Sequence, residues 1–140
     1  MIVLDTIVIS EPMRGAPDGT VVTWLNEQVE SALFTTSVTV MELRFGLARL
    51  PEGKRKTDLH AALDFTLSRL IGRRILPFDT AAAIEAAEIA ALAEAAGTPI
   101  GQADSQIAAI AKSHGFSIAT RDTAPFQQAG LTIINPWETR

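Results

Sequence analysis

Four carboxylates occupy positions from which they could share one chemistry. Asp5 closes the apolar run Met1-Ile2-Val3-Leu4. Glu42 lies in the first turns of an expected helix, Thr39-Val40-Met41-Glu42-Leu43. Asp104 opens the helical run Ser105-Gln106-Ile107-Ala108-Ala109-Ile110, and Asp122 follows the strand-like Phe116-Ser117-Ile118-Ala119-Thr120. In an open parallel sheet, strand C-terminal ends and helix N-termini share one edge, where ligands bind. Three of the acids have a direct route to that edge, and Glu42 reaches it from its helix. Clustered carboxylates repel unless a cation sits among them. Oxygen-only ligands favour a hard cation such as Mg²⁺ or Mn²⁺. Such an ion keeps bound water, which can attack a phosphodiester while the ion neutralises charge developing on phosphate.

Each acid taken singly also has an ordinary explanation. Glu42 follows Thr39 by three residues, the spacing of a capping box. Asp104 near a helix start is favoured by the helix dipole. Asp5 and Asp122 could support turns. The conjunction carries the functional reading, and Asp5 adds weight because a carboxylate directly after a buried strand is costly unless paired or metal-bound. Other chemistries are poorly supplied. His60 sits amid a Leu-rich helical face, and His114 precedes a helix-ending glycine. Ser10, Ser37 and Ser105 have no convincing histidine partner or nucleophile elbow. No glycine-rich phosphate loop is present. Trp24 and Trp137 read as packing residues rather than base-stacking platforms.

The elements that must position the acids follow from periodicity and punctuation. Residues 1–4 read as a buried strand, followed by a loop. Residues 10–12 and 15–19 carry turn chemistry. Residues 18–31 have helical spacing at Val21, Val22, Trp24, Leu25 and Val29. A second strand covers 33–36, and Ser37 or Thr39 caps a helix to about residue 50, which Pro51 and Gly53 break. A basic turn leads into a helix over about 57–71. Residues 75–78 are extended. Asp79 or Thr80 caps an Ala-rich helix that Gly97 ends. A helix over roughly 103–114 and strands at 116–120 and 131–134 complete the chain. Strands alternating with helices predict α/β with a largely parallel central sheet.

With 140 residues, 47% apolar and 20% charged, the chain is large enough for one cored domain spanning 1–140 and too apolar for disorder. It has no cysteine, which excludes disulfides and thiolate metal sites and accords with a reducing, cytoplasmic setting. There is no signal-peptide pattern at the N-terminus and no apolar stretch long enough for a bilayer, so no membrane association is expected. The net charge of −4 argues at first against a nucleic-acid partner. Its distribution argues otherwise. Residues 44–74 hold eight basic and three acidic side chains, a local +5 that leaves −9 elsewhere. A basic patch beside a cation-loaded acidic site suits a phosphate polymer better than the total suggests, but on charge alone a solvated helical hairpin surface is the favoured reading.

In this order, these residues resemble the PIN-domain nucleases, and among them the VapC toxins of prokaryotic toxin–antitoxin pairs, in the FitB-like branch. The resemblance rests on Leu4-Asp5-Thr6 with Val8-Ile9-Ser10-Glu11-Pro12, on Thr39-Val40-Met41-Glu42-Leu43-Arg44, and on Arg74-Ile75-Leu76-Pro77-Phe78-Asp79. It continues through Ala103-Asp104 with Ile107-Ala108-Ala109, Ala119-Thr120-Arg121-Asp122-Thr123, and Asn135-Pro136-Trp137. It implies a three-layer α/β/α sandwich and Mg²⁺- or Mn²⁺-dependent endoribonuclease activity on structured RNA. It assigns metal-site carboxylates to Asp5, Glu42, Asp104 and Asp122, with Asp122 the less direct ligand. Thr120 and Thr6 become supporting residues, and Arg44 and Arg121 become contacts for RNA or a partner. The resemblance further implies homodimers and a small DNA-binding antitoxin of VapB or FitA type, through which alone the toxin meets operator DNA.

One departure stands out. The family usually carries Asn or Ser two residues after the first Asp, where this chain has Ile7. An alternative reading is therefore a catalytically weak or degenerate PIN protein that serves as partner and co-repressor of its antitoxin. A phospho-acceptor receiver domain also places acids at strand ends. It is disfavoured because the adjacent acidic pair and late lysine of such domains are missing.

Overall fold

In the computed structural model, which describes residues 1–138, the chain forms five parallel strands flanked by helices on both faces. Strand β1 (Ile2–Leu4) runs straight into the short helix α1 (Thr6–Ser10). A 3₁₀ turn at Glu11–Met13 leads to α2 (Gly19–Glu27), whose first amides are capped by Asp18. Strand β2 (Leu33–Thr36) feeds α3 (Ser37–Ala48), and α4 (Lys54–Leu70) returns the chain to β3 (Ile75–Leu76). The Ala-rich α5 (Thr80–Ala95) is capped by Asp79. Then come α6 (Gln102–His114), β4 (Ser117–Ala119), α7 (Ala124–Gln128) and β5 (Ile133–Ile134).

The strand order is β3-β2-β1-β4-β5, with β1 central. Ile2, Val3 and Leu4 pair with Ser117, Ile118 and Ala119, while Ile2 and Val3 pair on the other side with Leu33 and Phe34. Two cores form, one per face. Leu4, Val8, Ile9, Val21, Leu63 and Ile71 pack in the first; Ala82, Ile89, Ile107, Ile110, Ile118 and Phe126 pack in the second. Because β-strand side chains alternate, neighbours Ile118 and Ala119 serve opposite cores. The expected three-layer α/β/α sandwich is present, and its sheet is wholly parallel rather than mostly so.

Several local expectations are corrected. No loop follows β1; the Asp5 carboxylate accepts from the Thr6 amide and starts α1 at once. Five residues are too few to show helical periodicity. The α3 cap is Thr36, whose hydroxyl accepts from the Thr39 amide at 3.0 Å, so neither Ser37 nor Thr39 fills that role. Helix α4 begins at Lys54 and absorbs the supposed basic turn, although cations in a first turn oppose the helix dipole. The short α7 was not expected; Pro125 in its first turn reads in sequence as a loop signal. Gly115, left-handed at φ 70°, lets α6 stop and reverse directly into β4.

Candidate active site

The site lies at the C-terminal edge of the sheet, where strand order reverses around β1 and β4. Asp5 leaves β1 there, its amide donating to the Ala119 carbonyl at 3.0 Å. Asp5 is 7% exposed, so its ionised form needs compensation. Thr120, fully buried just beyond β4, donates its hydroxyl to one Asp5 oxygen at 2.7 Å, and the Thr6 amide donates to the other at 2.8 Å. The same Thr120 oxygen accepts the Asp122 amide at 3.1 Å. One hydroxyl thus ties the first and fourth acids together.

Glu42, half-buried on α3, is reached by another threonine. The Thr6 hydroxyl donates to Glu42 Oε1 at 2.7 Å. The expected capping box with Thr39 is therefore replaced by a tertiary bond, because α3 starts three residues earlier than that pairing requires. Asp104 sits half-buried in the first turn of α6. Below the site, the Thr35 hydroxyl donates to the Leu4 carbonyl at 2.9 Å and pins the backbone that presents Asp5. Sequence reasoning missed Thr35. Its signal is a hydroxyl on a strand otherwise destined for burial. It also missed the buried Glu11, which accepts from the Asp18 amide at 2.8 Å and from Arg14, closing the 11–18 turn.

The four acids sense one another electrostatically. Burial raises the Asp104 carboxyl from the ordinary 3.8 to about 6, with the charges of Asp5, Asp122 and Glu42 adding to the shift. Burial also raises Asp5; the bonds from Thr120 and Thr6 oppose it, while Glu42 and Asp122 reinforce it. Among the described residues, no three His, Cys, Asp or Glu side chains stand as a ready-made metal-holding group. The donor chemistry nevertheless fits a hard cation. All four groups are oxygen donors, and a divalent cation relieves both the cost of burying the Asp104 charge and the repulsion that adds to it.

The two arginines expected to contact RNA or a partner have distinct placements. Arg44 pairs with Asp64 of α4 across a solvent-exposed bridge. Arg121 is exposed, its guanidinium 5.2 Å from the ring centre of Trp137. Much of the basic segment is engaged internally. Lys54 pairs with Asp58 and Lys56 with Glu52, and Arg74 donates to the carbonyls of Leu33 and Leu70. The +5 patch is thus weaker than its composition implies. Arg55 and Arg69, by contrast, line grooves on either side of α4.

The three-layer parallel fold is that of a PIN domain, and the PIN domain pattern matches residues 2–131; the chain belongs to the PIN-domain family. Within it, the chain groups with the VapC and FitB toxins. It is similar to "VapC ribonuclease Y4jK" of Sinorhizobium fredii, 49% identical over 138 residues covering 99% of each chain. It is similar to "Toxin FitB" of Neisseria gonorrhoeae, 44% identical over 137 residues covering 98% of this chain and 99% of the other. A solved complex described as FitAB bound to an IR36 DNA fragment superposes with a TM-score of 0.92. It shares 42% identity, covering 100% of this chain and 98% of that one.

Proposed function

We propose that the protein is a metal-dependent endoribonuclease, the toxin of a type II toxin–antitoxin pair, working as one PIN domain across residues 1–140. The observation that supports this reading is that burial, and then the charges of Asp5, Asp122 and Glu42, raise Asp104, as expected of acids from four elements that share one edge. Asp5, Glu42 and Asp104 would hold Mg²⁺ or Mn²⁺. When bound, such an ion supplies charge neutralisation at phosphate and a more acidic water. Asp122 would support the ion or orient the attacking water, whose oxygen bonds to phosphorus as the in-line bond to the ribose oxygen breaks and whose proton passes to solvent. Thr120 and Thr6 keep the carboxylates aimed, and Arg121 offers positive charge for a neighbouring phosphate. The VapC name of a relative supports RNA as substrate. Structured RNA remains the preferred class.

The DNA-bound FitAB complex supports a small DNA-binding antitoxin of VapB or FitA type as partner, with operator DNA contacted through it. Apolar grooves flank α4, one facing α3 through Leu43, Leu47 and Leu59, the other facing α2 through Leu25 and Phe65. Phe45 points outward under Arg49. An amphipathic partner helix suits these grooves. Exposed Ile84 and Leu92 on α5 support pairing of two copies. No helix among the described residues is long and apolar enough to cross a membrane.

The test is cleavage of a structured RNA by purified protein with Mn²⁺ or EDTA, beside Asp5→Asn. Cleavage that requires the ion and Asp5 is expected; cleavage that persists in EDTA or in the variant overturns the reading. Ile7, 38% exposed and two residues from Asp5, favours the second reading of a weak or non-cleaving partner protein. Metal-independent inertness toward RNA, with retained antitoxin binding, would establish it.

A further inference from the structure

The chain contains two tryptophans and no tyrosine, and both tryptophans line one cleft. Thr20, Thr23, Trp24 and Glu27 recur at helical spacing, so α2 presents them on a single face. Trp137 and Glu138, just beyond β5, form the opposite wall. The cleft measures about 790 Å³, within the usual range for small-molecule sites. Trp24 is 7% exposed and anchors the floor in the first core, against which Trp137 also packs. Trp137 is held from two sides. Its amide donates to Asn135 Oδ1 at 3.0 Å, and the Arg121 guanidinium lies over its ring. The sequence-based view of both residues as simple packing groups therefore covers only part of their role.

The chemistry of the walls selects an occupant. Indole faces stack on flat heteroaromatic rings regardless of sequence. The polar groups beside them are two carboxylates, which repel phosphate and accept hydrogen bonds from ring N–H groups, and two hydroxyls, which can donate or accept. A carboxylate takes two donors side by side, the pattern of guanine N1–H and N2–H. Adenine places an acceptor next to its donor, and cytosine and uracil offer one donor beside an acceptor. Among the described residues, Arg121 brings a cation beside the cleft through its place over the Trp137 ring, and it lies in sequence between residues of the acidic site. Thr120 on one side holds Asp5, and Asp122 on the other adds its charge to Asp5 and Asp104. A phosphate on Arg121 would leave the adjoining base at the cleft and the next linkage toward the acids.

We propose that this cleft is a guanine-binding subsite that sets where the RNA is cut. The proposal rests on the nuclease reading above. Guanosine stacks on Trp137 above the floor that Trp24 anchors, Glu27 or Glu138 accepts its N1–H and N2–H, and Arg121 holds its phosphate.

All tryptophan emission of this protein arises from the cleft, so binding is read without a label. Metal-free protein in EDTA is titrated with the trinucleotides UGU, UAU, UCU and UUU. Saturable quenching by UGU is expected, with affinity tenfold or more above the other three. Glu27→Gln together with Glu138→Gln should erase that preference, and Trp137→Leu should weaken UGU binding roughly tenfold or more, the usual loss of one stacked base. Circular dichroism of each variant verifies that the fold is kept, and Trp137→Phe should retain most of the affinity. Equal quenching by all four trinucleotides, no quenching, or a guanine preference that survives the double Gln change overturns the subsite. Separately, metal-dependent cleavage without guanine preference would sink the subsite and leave the nuclease standing. Guanine-selective binding without any cleavage would sink the nuclease reading instead.

Discussion

Replacing Asp104 by asparagine should make the metal-free protein more stable at neutral pH and less responsive to metal. Asp104 is raised from 3.8 to about 6, chiefly by burial and then by Asp5, Asp122 and Glu42. A shift of that size corresponds to about 3 kcal/mol, which solvent screening of a half-exposed group reduces to about 1–2 kcal/mol. The charge also gains about 0.3–1 kcal/mol from the α6 N-terminus, leaving a net cost of about 1 kcal/mol. The folded state keeps its proton to higher pH than the unfolded chain. Between about pH 4 and 6 it therefore binds more protons, and stability falls as pH rises through that window. In EDTA above pH 6, Asp104→Asn should melt about 3–5 °C higher than the parent, with the advantage gone by pH 4. Mn²⁺ at a hundred times its dissociation constant should stabilise the parent by about 2.7 kcal/mol and the variant by clearly less. Thermal melts across pH 4–8, with EDTA or Mn²⁺, measure both effects. Equal melting of the two proteins at every pH, together with equal Mn²⁺ shifts, would refute a shared acidic site.

Three further perturbations follow from the same geometry. Thr120→Val removes the hydroxyl between Asp5 and the Asp122 amide and should cost about 1–3 kcal/mol in denaturant titration; Thr120→Ser should recover most of it, and an equal loss in both would contradict the bond's importance. Ile7→Asn places a polar group two residues from Asp5 and should improve Mn²⁺ affinity or RNA cleavage by about 10–100-fold, as read by calorimetry and gel assay. Asp5→Asn should abolish that gain, and unchanged binding and cleavage in Ile7→Asn would show the position to be neutral. Leu47→Glu puts a charge into the groove between α3 and α4 and should weaken antitoxin binding at least tenfold in a pull-down with the co-expressed partner; full binding by a folded variant would place the seat elsewhere.

The positions of the acids were legible because each marks an edge of an element. An apolar run ending in Asp5, and a helix opening at Asp104, are local patterns set by periodicity and capping. The parallel α/β class followed from their alternation, and the family from the ordered motifs. What local pattern does not report is pairing between elements. Thr6 reaches Glu42 across 36 residues and Thr120 reaches Asp5 across 115, and neither bond leaves a trace in spacing. Helix α1 was hidden by its shortness, and the true cap of α3 by competing hydroxyls at 36, 37 and 39. The basic segment looked free in sequence, yet Arg44 and Arg74 found partners only once α4 and β2 were packed. Trp24 and Trp137 showed the same limit, because a helix face and a strand end become two walls only when the sheet brings them together. The residue types set which chemistry was available. Packing alone decided which charges share a low-dielectric edge, since the field at Asp104 is the sum of three distant carboxylates and the burial around them.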